Sequence, residues 1–296
     1  MKKKRIWFGL LAIVLILGLF FFGLVLIVRL SGTPSHLSFG DKIAIVEIRG
    51  VITQSSSVIE EIHHHLADDS VKAIILRIDS PGGGVGPSQE IHREVVRAKE
   101  KNKKIITSMG AVAASGGYYV ACASDLIVAN PGTITGSIGV VMQFSNFEEL
   151  LKKIGVKGIV VKSGEYKDIG SPFREMTPEE KKIMQESLDN VHQQFIRAVA
   201  DGRNLDPAKV LPIADGRIMT GEQAKQLGLV DKLGNLDDAI EEAAKLVGIE
   251  GRPHVLYPKK KFTLWELLMK GMVSAVIEAL NEKGFELNYR LLFPVD

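Results

Sequence analysis

The sequence contains a single cysteine, Cys122, among its 296 residues. One thiol cannot form an intrachain disulfide, and it cannot build a cysteine-based zinc site. A composition of 46% hydrophobic and 24% charged residues also excludes collagen-like, disordered and disulfide-scaffold proteins. The same composition is sufficient for one sizeable folded domain or for two small ones.

An excess of basic residues is lacking outside the N-terminus. The net charge is +2, but residues 1–28 contain four basic residues, at positions 2–5, and no acid, so the remaining 268 residues carry a net charge of −2. Electrostatic binding to nucleic acid depends on a basic surface. We therefore expect no nucleic-acid partner.

One long uncharged run is present, at residues 6–28. At about 1.5 Å per residue, a helix of this length crosses a hydrocarbon core of about 30 Å. The basic cluster precedes the run, which predicts a cytoplasmic N-terminus and a single-pass protein whose remainder lies on the extracytoplasmic side of the cell membrane. A cleaved signal peptide is the alternative, but its apolar core spans about 7–15 residues, and here Arg29 directly follows the longer run.

Four segments follow from this pattern: a membrane anchor at 1–28, a polar linker at 29–40, a single α/β domain at 41–258 and a tail at 259–296. The tail has apolar residues at helical spacing, at positions 265, 268, 272, 276 and 280. Such a stripe indicates a helix that packs on its own domain or on a neighbouring subunit. A helix lying on the membrane surface is the alternative, and a tail that covers the functional site is a further hypothesis.

Within residues 41–258, short β-branched runs alternate with helical patterns, which predicts a sheet built from βα units. Strands are predicted at KIAIVEI, AIILRID, KIITSMG, DLIVA, IGVVMQF and GIVVKSG. Helices are predicted at 58–67, 88–101, 115–123, 147–154, 222–227 and 237–247. A longer helix is predicted to begin with a capping box formed by Thr177 and Glu180 and to end near residue 202.

Three glycine-containing loops each follow a predicted strand: "DSPGGG" at 79–84, "MGAVAASGGYY" at 109–119 and "TGSIGV" at 135–140. Loops at the carboxyl ends of strands converge in open α/β sheets, which makes these three candidates for one site. Ser115 lies between small residues, as a nucleophile at a strand-to-helix turn requires. The G-x-S-x-G pattern itself is not met, because residue 113 is alanine.

A serine nucleophile needs a base, and none of the seven histidines lies in a loop suited to that role, although a Ser-His-Asp triad is not excluded. Consecutive histidines on a helix point about 100° apart, so 63–65 cannot hold one metal ion, and we predict neither a metal nor a cofactor. Lysine becomes a base when burial keeps it neutral. Lys167 lies in the loop "SGEYKDIGSPF", whose Tyr166, Ile169, Pro172 and Phe173 could form an apolar wall around it.

Together, the N-terminal anchor and the motifs "DSPGG", "ASGGYY", "TGSIGV", "SGEYKDIGSPF" and "TGEQAKQLGLVDKLG" resemble the signal peptide peptidase A family of membrane-bound serine proteases, in its short form with one catalytic domain. The resemblance covers residues 43–247. It implies a ClpP/crotonase-like fold of repeated ββα units and cleavage of remnant signal peptides or other apolar peptides in or near the membrane. It also implies a ring-like homo-oligomer.

The same resemblance implies roles for individual residues. Ser115 matches the family's nucleophile and Lys167 its general base. Ser137 matches a serine that hydrogen-bonds this lysine. Gly83 and Gly116 are the expected backbone donors to the oxyanion, because a glycine N–H can face the substrate without a side chain in the way. Whether one chain or two neighbouring chains supply the dyad stays open.

Three other functions remain as alternatives. A related Ser/Lys protease could cut partner membrane proteins instead of signal peptides. A crotonase-like acyl-CoA enzyme would also use glycine-rich oxyanion loops, but the expected outward topology disfavours a cytosolic substrate. A non-catalytic scaffold is disfavoured by the presence of both Ser115 and Lys167.

Overall fold

The structure is a computed structural model, and it describes residues 40–258 together with Leu15, Leu17, Gly18, Leu19 and Phe22, which are helical. The chain divides into two units, Met1–Asp41 and Lys42–Asp296. Among the described residues, no helix is both long and apolar enough to span a bilayer. The predicted anchor lies outside the described residues except for those five, and the predicted tail lies wholly outside them.

The described part of the second unit contains one sheet of eight strands, in the order β6-β5-β3-β2-β1-β8, with β4 paired to β3 and β7 paired to β4. All pairings are parallel except β5 with β6. The strands are β1 Lys42–Arg49, β2 Val71–Ser80, β3 Lys104–Ala114, β4 Leu126–Ala129, β5 Ile134–Gly136, β6 Ile218–Thr220, β7 Lys232–Leu233 and β8 His254–Leu256.

Helices connect these strands, as the alternating pattern predicts, so the α/β fold class is confirmed. They are α1 Ser56–Leu66, α2 Val85–Glu100, α3 Gly116–Ala121, α4 Glu148–Lys153, α5 Pro178–Arg203, α6 Pro207–Val210, α7 Gly221–Gln226 and α8 Leu236–Val247, and a 3₁₀ turn, Leu211–Ile213, follows α6. The predicted capping box is present: Thr177 Oγ1 accepts from the N–H of Glu180 at 3.2 Å, and the N–H of Thr177 donates to Glu180 Oε2 at 2.8 Å.

Both faces of the central strands are buried. In β1, Ile43 and Ile45 pack against α8, whereas Ala44 and Val46 belong to the larger core on the other face. A strand that is buried on both faces has a continuous run of apolar residues in place of an alternating one, which explains the sequence pattern of β1 and β2. Each fully buried large aliphatic side chain stabilises the fold by about 1.5–3 kcal/mol. Because β2 and β3 pair in parallel within this core, their carboxyl ends lie at the same edge of the sheet.

Two of the predicted strands do not form. Residues 138–144 and 158–164 are irregular, and several of their apolar side chains are open to solvent: Val141 is 85% exposed, Ile159 88% and Val161 95%. Preference for the β conformation depends on packing against a neighbouring strand. Among the described residues neither segment has such a neighbour, so β-branched composition alone does not order them as strands.

Candidate active site

Ser115 lies at the turn between β3 and α3 in a strained conformation. Its φ is +52° and its ψ is −121°, a region that residues other than glycine rarely adopt. Its N–H donates to the carbonyl of Gly136 at 2.9 Å, which anchors the turn against the loop after β5. Such strain persists only where the surrounding structure enforces it, and it is concentrated at functional sites.

Ser137 occupies the corresponding position on the neighbouring strand. The parallel register pairs Ala114 of β3 with Gly136 of β5, so the next residue on each strand is a serine. Ser137 also has a positive φ, +51°, and its N–H donates to the carbonyl of Arg217 at 2.7 Å. The two hydroxyls thus emerge side by side at one end of the sheet, and neither has a hydrogen-bond partner among the described residues.

The glycine loop after β2 packs tightly against the Ser115 turn. Gly82 has a φ of +101°, and a Cβ on it would lie 2.6 Å from the nitrogen of Gly116. Gly83 forms a parallel bridge with Ile52, in which Ile52 donates to the Gly82 carbonyl at 2.9 Å and Gly84 donates to the Ile52 carbonyl at 2.8 Å. This approach requires glycine, because a Cβ on Gly83 would lie 2.2 Å from the Ile52 oxygen.

In this bridge Ile52 bonds to Gly82 and Gly84, the residues on either side of Gly83. The N–H of Gly83 itself therefore faces away from Ile52. A Cβ on Gly116 would lie 3.2 Å from the nitrogen of Gly83, so the two backbone amides are close neighbours. Within the described part of the chain, neither N–H is used in a hydrogen bond. Two adjacent free N–H groups beside a serine suit an oxyanion.

A cavity of about 570 Å³ opens at this edge of the sheet. Gly83, Ser115 and Ser137 all line it, so the structure brings three of the five predicted site residues together. A smaller space of about 40 Å³ adjoins Ser115 and is lined by Gly116 and by the rings of Tyr119 and Phe195. The site therefore has an open part and a narrow, largely apolar part.

One wall of the cavity was not predicted. It is built by one face of α5, from residues at positions i, i+3, i+4 and i+7: Gln185, Leu188, Asp189 and His192. Gln185 Nε2 donates to Asp189 Oδ1 at 2.7 Å, and His192 Nε2 is buried without a partner among the described residues. The helical spacing was visible in the sequence, but its mixed polarity is also typical of a solvated face.

Lys167 does not line the cavity. Its side chain is exposed, and its Nζ has no hydrogen-bond partner among the described residues. Tyr166 and Phe173 are themselves exposed, so the expected apolar wall does not enclose Lys167 within the single chain. The structure places the lysine on the surface, on a series of turns after residue 162.

Cys122 is not an alternative nucleophile. It is fully buried, burial raises the pKa of its thiol to about 12, and its Sγ lies 3.1 Å from the carbonyl of Tyr119. A thiol with so high a pKa supplies almost no thiolate at neutral pH. Cys122 also does not line the cavity, whereas Ser115 and Ser137 do.

Comparison with known proteins finds similarity to peptidases. The sequence pattern of "Peptidase family S49" matches residues 97–250, which include Ser115, Ser137 and Lys167. The chain is 46% identical over 218 residues to "Putative protease slr0021" of Synechocystis sp., covering 73% of this chain and 78% of that protein. It is 36% identical over 270 residues to "Putative protease MJ0651" of Methanocaldococcus jannaschii, covering 86% of each.

A third relative is "Putative signal peptide peptidase SppA" of Enterococcus faecium, 39% identical over 229 residues that cover 74% of this chain and 67% of that protein. The matched region spans more than half of the chain and contains the strained serine, the glycine-containing loop at 135–140 and the cavity wall of α5. The chain therefore belongs to peptidase family S49, the signal peptide peptidase A family of serine proteases.

Proposed function

We propose that this protein is a membrane-anchored endopeptidase in which Ser115 and Lys167 form a Ser/Lys dyad, and that it degrades remnant signal peptides released from secreted precursors. The observation that carries the proposal is the strained conformation of Ser115 beside two free backbone N–H groups. A nucleophile at such a turn is exposed to an incoming carbonyl, while the adjacent amides face the developing negative charge.

In the proposed reaction, the neutral amine of Lys167 takes the proton of Ser115 Oγ as this oxygen attacks the scissile carbonyl carbon. The N–H groups of Gly83 and Gly116 stabilise the resulting oxyanion. The lysine then returns the proton to the leaving amine, which leaves an acyl-enzyme. Finally, the lysine deprotonates a water molecule that hydrolyses the ester and regenerates Ser115. Ser137, next to Ser115 in the sheet, orients the lysine amine.

The surface position of Lys167 favours a site shared between neighbouring chains. The segments on either side of α4 carry exposed apolar residues, among them Val141, Ile159 and Val161. Several large apolar side chains left open to solvent are typical of a protein interface. We therefore propose a ring-like homo-oligomer in which a neighbouring copy brings its Lys167 to each Ser115, together with a ClpP/crotonase-like fold for the subunit.

The dimensions of the cavity support peptides with small or medium apolar side chains. The narrow space beside Ser115 is bounded by Tyr119 and Phe195 and has room only for a short side chain. Signal peptides are rich in alanine and leucine and, once released, remain in the membrane to which this protein is predicted to be anchored. The predicted topology puts the cavity on the extracytoplasmic side.

A serine-reactive fluorophosphonate probe tests the dyad. We expect the wild type to be labelled, Ser115→Ala to show no labelling and Lys167→Ala to be labelled at least 100-fold more slowly, a typical contribution of general-base catalysis. Because the base must be neutral, labelling of the wild type should accelerate on the alkaline side of neutrality. Equal labelling of all three proteins would exclude the dyad.

A mixing experiment tests the shared site. Ser115→Ala and Lys167→Ala proteins are dissociated, mixed and reassembled, and peptide hydrolysis is measured. If neighbours share each site, the mixture regains a fraction of wild-type activity, because some interfaces combine an intact serine with an intact lysine. If one chain supplies both residues, the mixture stays as inactive as its components.

A further inference from the structure

Arg174 is bound to two carboxylates from different parts of the chain. Its Nε donates to Asp168 Oδ2 at 2.9 Å and one terminal nitrogen donates to Asp168 Oδ1 at 2.8 Å, which makes a two-pronged contact. The same guanidinium donates to both carboxylate oxygens of Glu180, to Oε2 at 2.8 Å and to Oε1 at 2.5 Å. Only the planar, five-donor guanidinium can bridge two carboxylates in this way.

One of these carboxylates directly follows the proposed base. Asp168 is the next residue after Lys167, and it also accepts a hydrogen bond from Lys162 Nζ at 2.6 Å. Between Lys162 and Asp168 the chain makes consecutive turns, in which the N–H of Lys167 donates to the Gly164 carbonyl at 3.2 Å. The Lys167 loop, defined as residues 162–174, is therefore closed on itself through Asp168.

The other carboxylate belongs to the start of α5. Glu180 is only 3% exposed and is held by the capping box with Thr177, so it is a fixed anchor point. The same helix provides Gln185, Asp189 and His192 to the wall of the cavity. Through Glu180, Arg174 therefore joins the Lys167 loop to the helix that lines the Ser115 site.

The bridge is charged over the whole neutral range. Hydrogen bonding to Arg174 lowers the pKa of Glu180 to about 2, and bonds to Arg174 and Lys162 hold the pKa of Asp168 well below its usual value. Both carboxylates are thus ionised under every condition in which a lysine base is active. The contact persists whether or not Lys167 is protonated, as a fixed support requires.

We propose that Arg174 is a positioning residue that holds the Lys167 loop against the start of α5, so that the lysine amine reaches its serine in a fixed geometry. This inference rests on the proposed Ser/Lys dyad. It assigns Arg174 no contact with substrate. Displacement of a reacting group by about 1 Å can cost about 10² in rate, so loss of the bridge affects turnover more than substrate binding.

The test is a double-mutant cycle between Arg174→Gln and Lys167→Ala, measured on the full-length protein with a fluorogenic apolar peptide. We expect Arg174→Gln to lower kcat about 10–100-fold with KM changed less than twofold. In the Lys167→Ala background the same change should have less than a twofold effect, because the residue that it positions is already missing. An equal fold-loss in both backgrounds would mean a general structural role and would overturn the inference.

Two further variants keep the test decisive. Asp168→Asn removes a charged acceptor but leaves the Glu180 anchor, and it should reproduce the kcat loss if Arg174→Gln does not fold. Arg97→Gln removes an arginine–glutamate ion pair within α2, in which Arg97 is half exposed and Glu94 keeps its contact with His63, and it should retain wild-type kinetics. Full activity of Lys167→Ala would refute the dyad itself, whereas an inactive Lys167→Ala beside fully active Arg174→Gln and Asp168→Asn would refute only the positioning role.

Discussion

Ser115 and Ser137 lie side by side because β3 and β5 run parallel and pair Ala114 with Gly136 directly before them. Each serine has a φ near +50°, so each strand is followed directly by a residue with a left-handed φ. Both residues line the same cavity, as the proposed mechanism requires. A positive φ directly after two adjacent strands is the local geometry from which the proposed chemistry follows.

The strain at Ser115 has a measurable effect on stability. Replacing Ser115 with glycine relieves the positive φ, whereas alanine retains it, so Ser115→Gly should be more stable than Ser115→Ala by about 1 kcal/mol. Both variants lack the nucleophile and should be inactive. Thermal unfolding of the two proteins under the same conditions checks the order. A glycine variant that unfolds at a lower temperature than the alanine variant would contradict it.

Ser137→Ala should lower kcat by about 10²-fold, because the lysine amine loses the partner that orients it. KM should change little, since Ser137 is not assigned to substrate binding in the proposed mechanism. Steady-state kinetics with an apolar peptide measure both constants. Ser187→Ala is the matched control: this hydroxyl lies on α5 and donates to the carbonyl of Ile183 at 3.1 Å, away from the cavity wall. Ser137→Ala kinetics equal to those of the control would remove Ser137 from the mechanism.

Gly83, in the loop before α2, and Gly86, inside α2, should respond oppositely to substitution by alanine. In Gly83→Ala the new Cβ meets the Ile52 backbone, which displaces the N–H proposed to bind the oxyanion, and activity should fall about 10²–10³-fold. Gly86 has no atom within 4 Å of its Cβ position and lies inside α2, so Gly86→Ala should retain activity and gain up to about 1 kcal/mol of stability. Peptide hydrolysis and thermal unfolding distinguish the two. Unchanged activity in Gly83→Ala would argue against this oxyanion donor.

His92 should make the fold sensitive to mild acid. It packs against Tyr119 with ring centroids 4.9 Å apart, and burial lowers its pKa to about 4. In an unfolded chain the pKa of histidine is about 6.5, so as pH falls the unfolded state binds the proton before the folded state does. The free energy of unfolding therefore decreases as pH falls from about 6.5 to about 4. The loss due to His92 amounts to about 3 kcal/mol at most.

His92→Phe keeps an aromatic ring against Tyr119 but cannot be protonated. The difference in unfolding temperature between pH 7.5 and pH 4.5 should therefore be smaller in this variant than in the wild type. Chemical denaturation at the two pH values provides the same comparison as free energies. An identical acid sensitivity in both proteins would assign the effect to other groups.

Much of the fold could be predicted because the local signals were strong. β1, β2 and β3 are continuous β-branched runs, and the start of α5 has a full capping box, so each is determined by neighbouring residues. The strands expected at 138–144 and 158–164 carry the same β-branched composition, yet they lack a pairing strand among the described residues. Whether such a segment forms a strand depends on a neighbouring strand that pairs with it, and no local sequence pattern reveals that neighbour.

Local sequence patterns identify the glycine loops, the serine between small residues and the candidate lysine, because those chemistries need particular side chains or the absence of one. Only the folded chain shows that Ser115 and Ser137 meet through the β3–β5 register and that α5 forms a wall of their cavity. It also shows that Lys167 lies on the surface and that the Lys167 loop is joined to α5 through Arg174. The longest of these relationships, between Ser115 and His192 of α5, joins residues 77 positions apart, and only the packing of the sheet and helices brings them together.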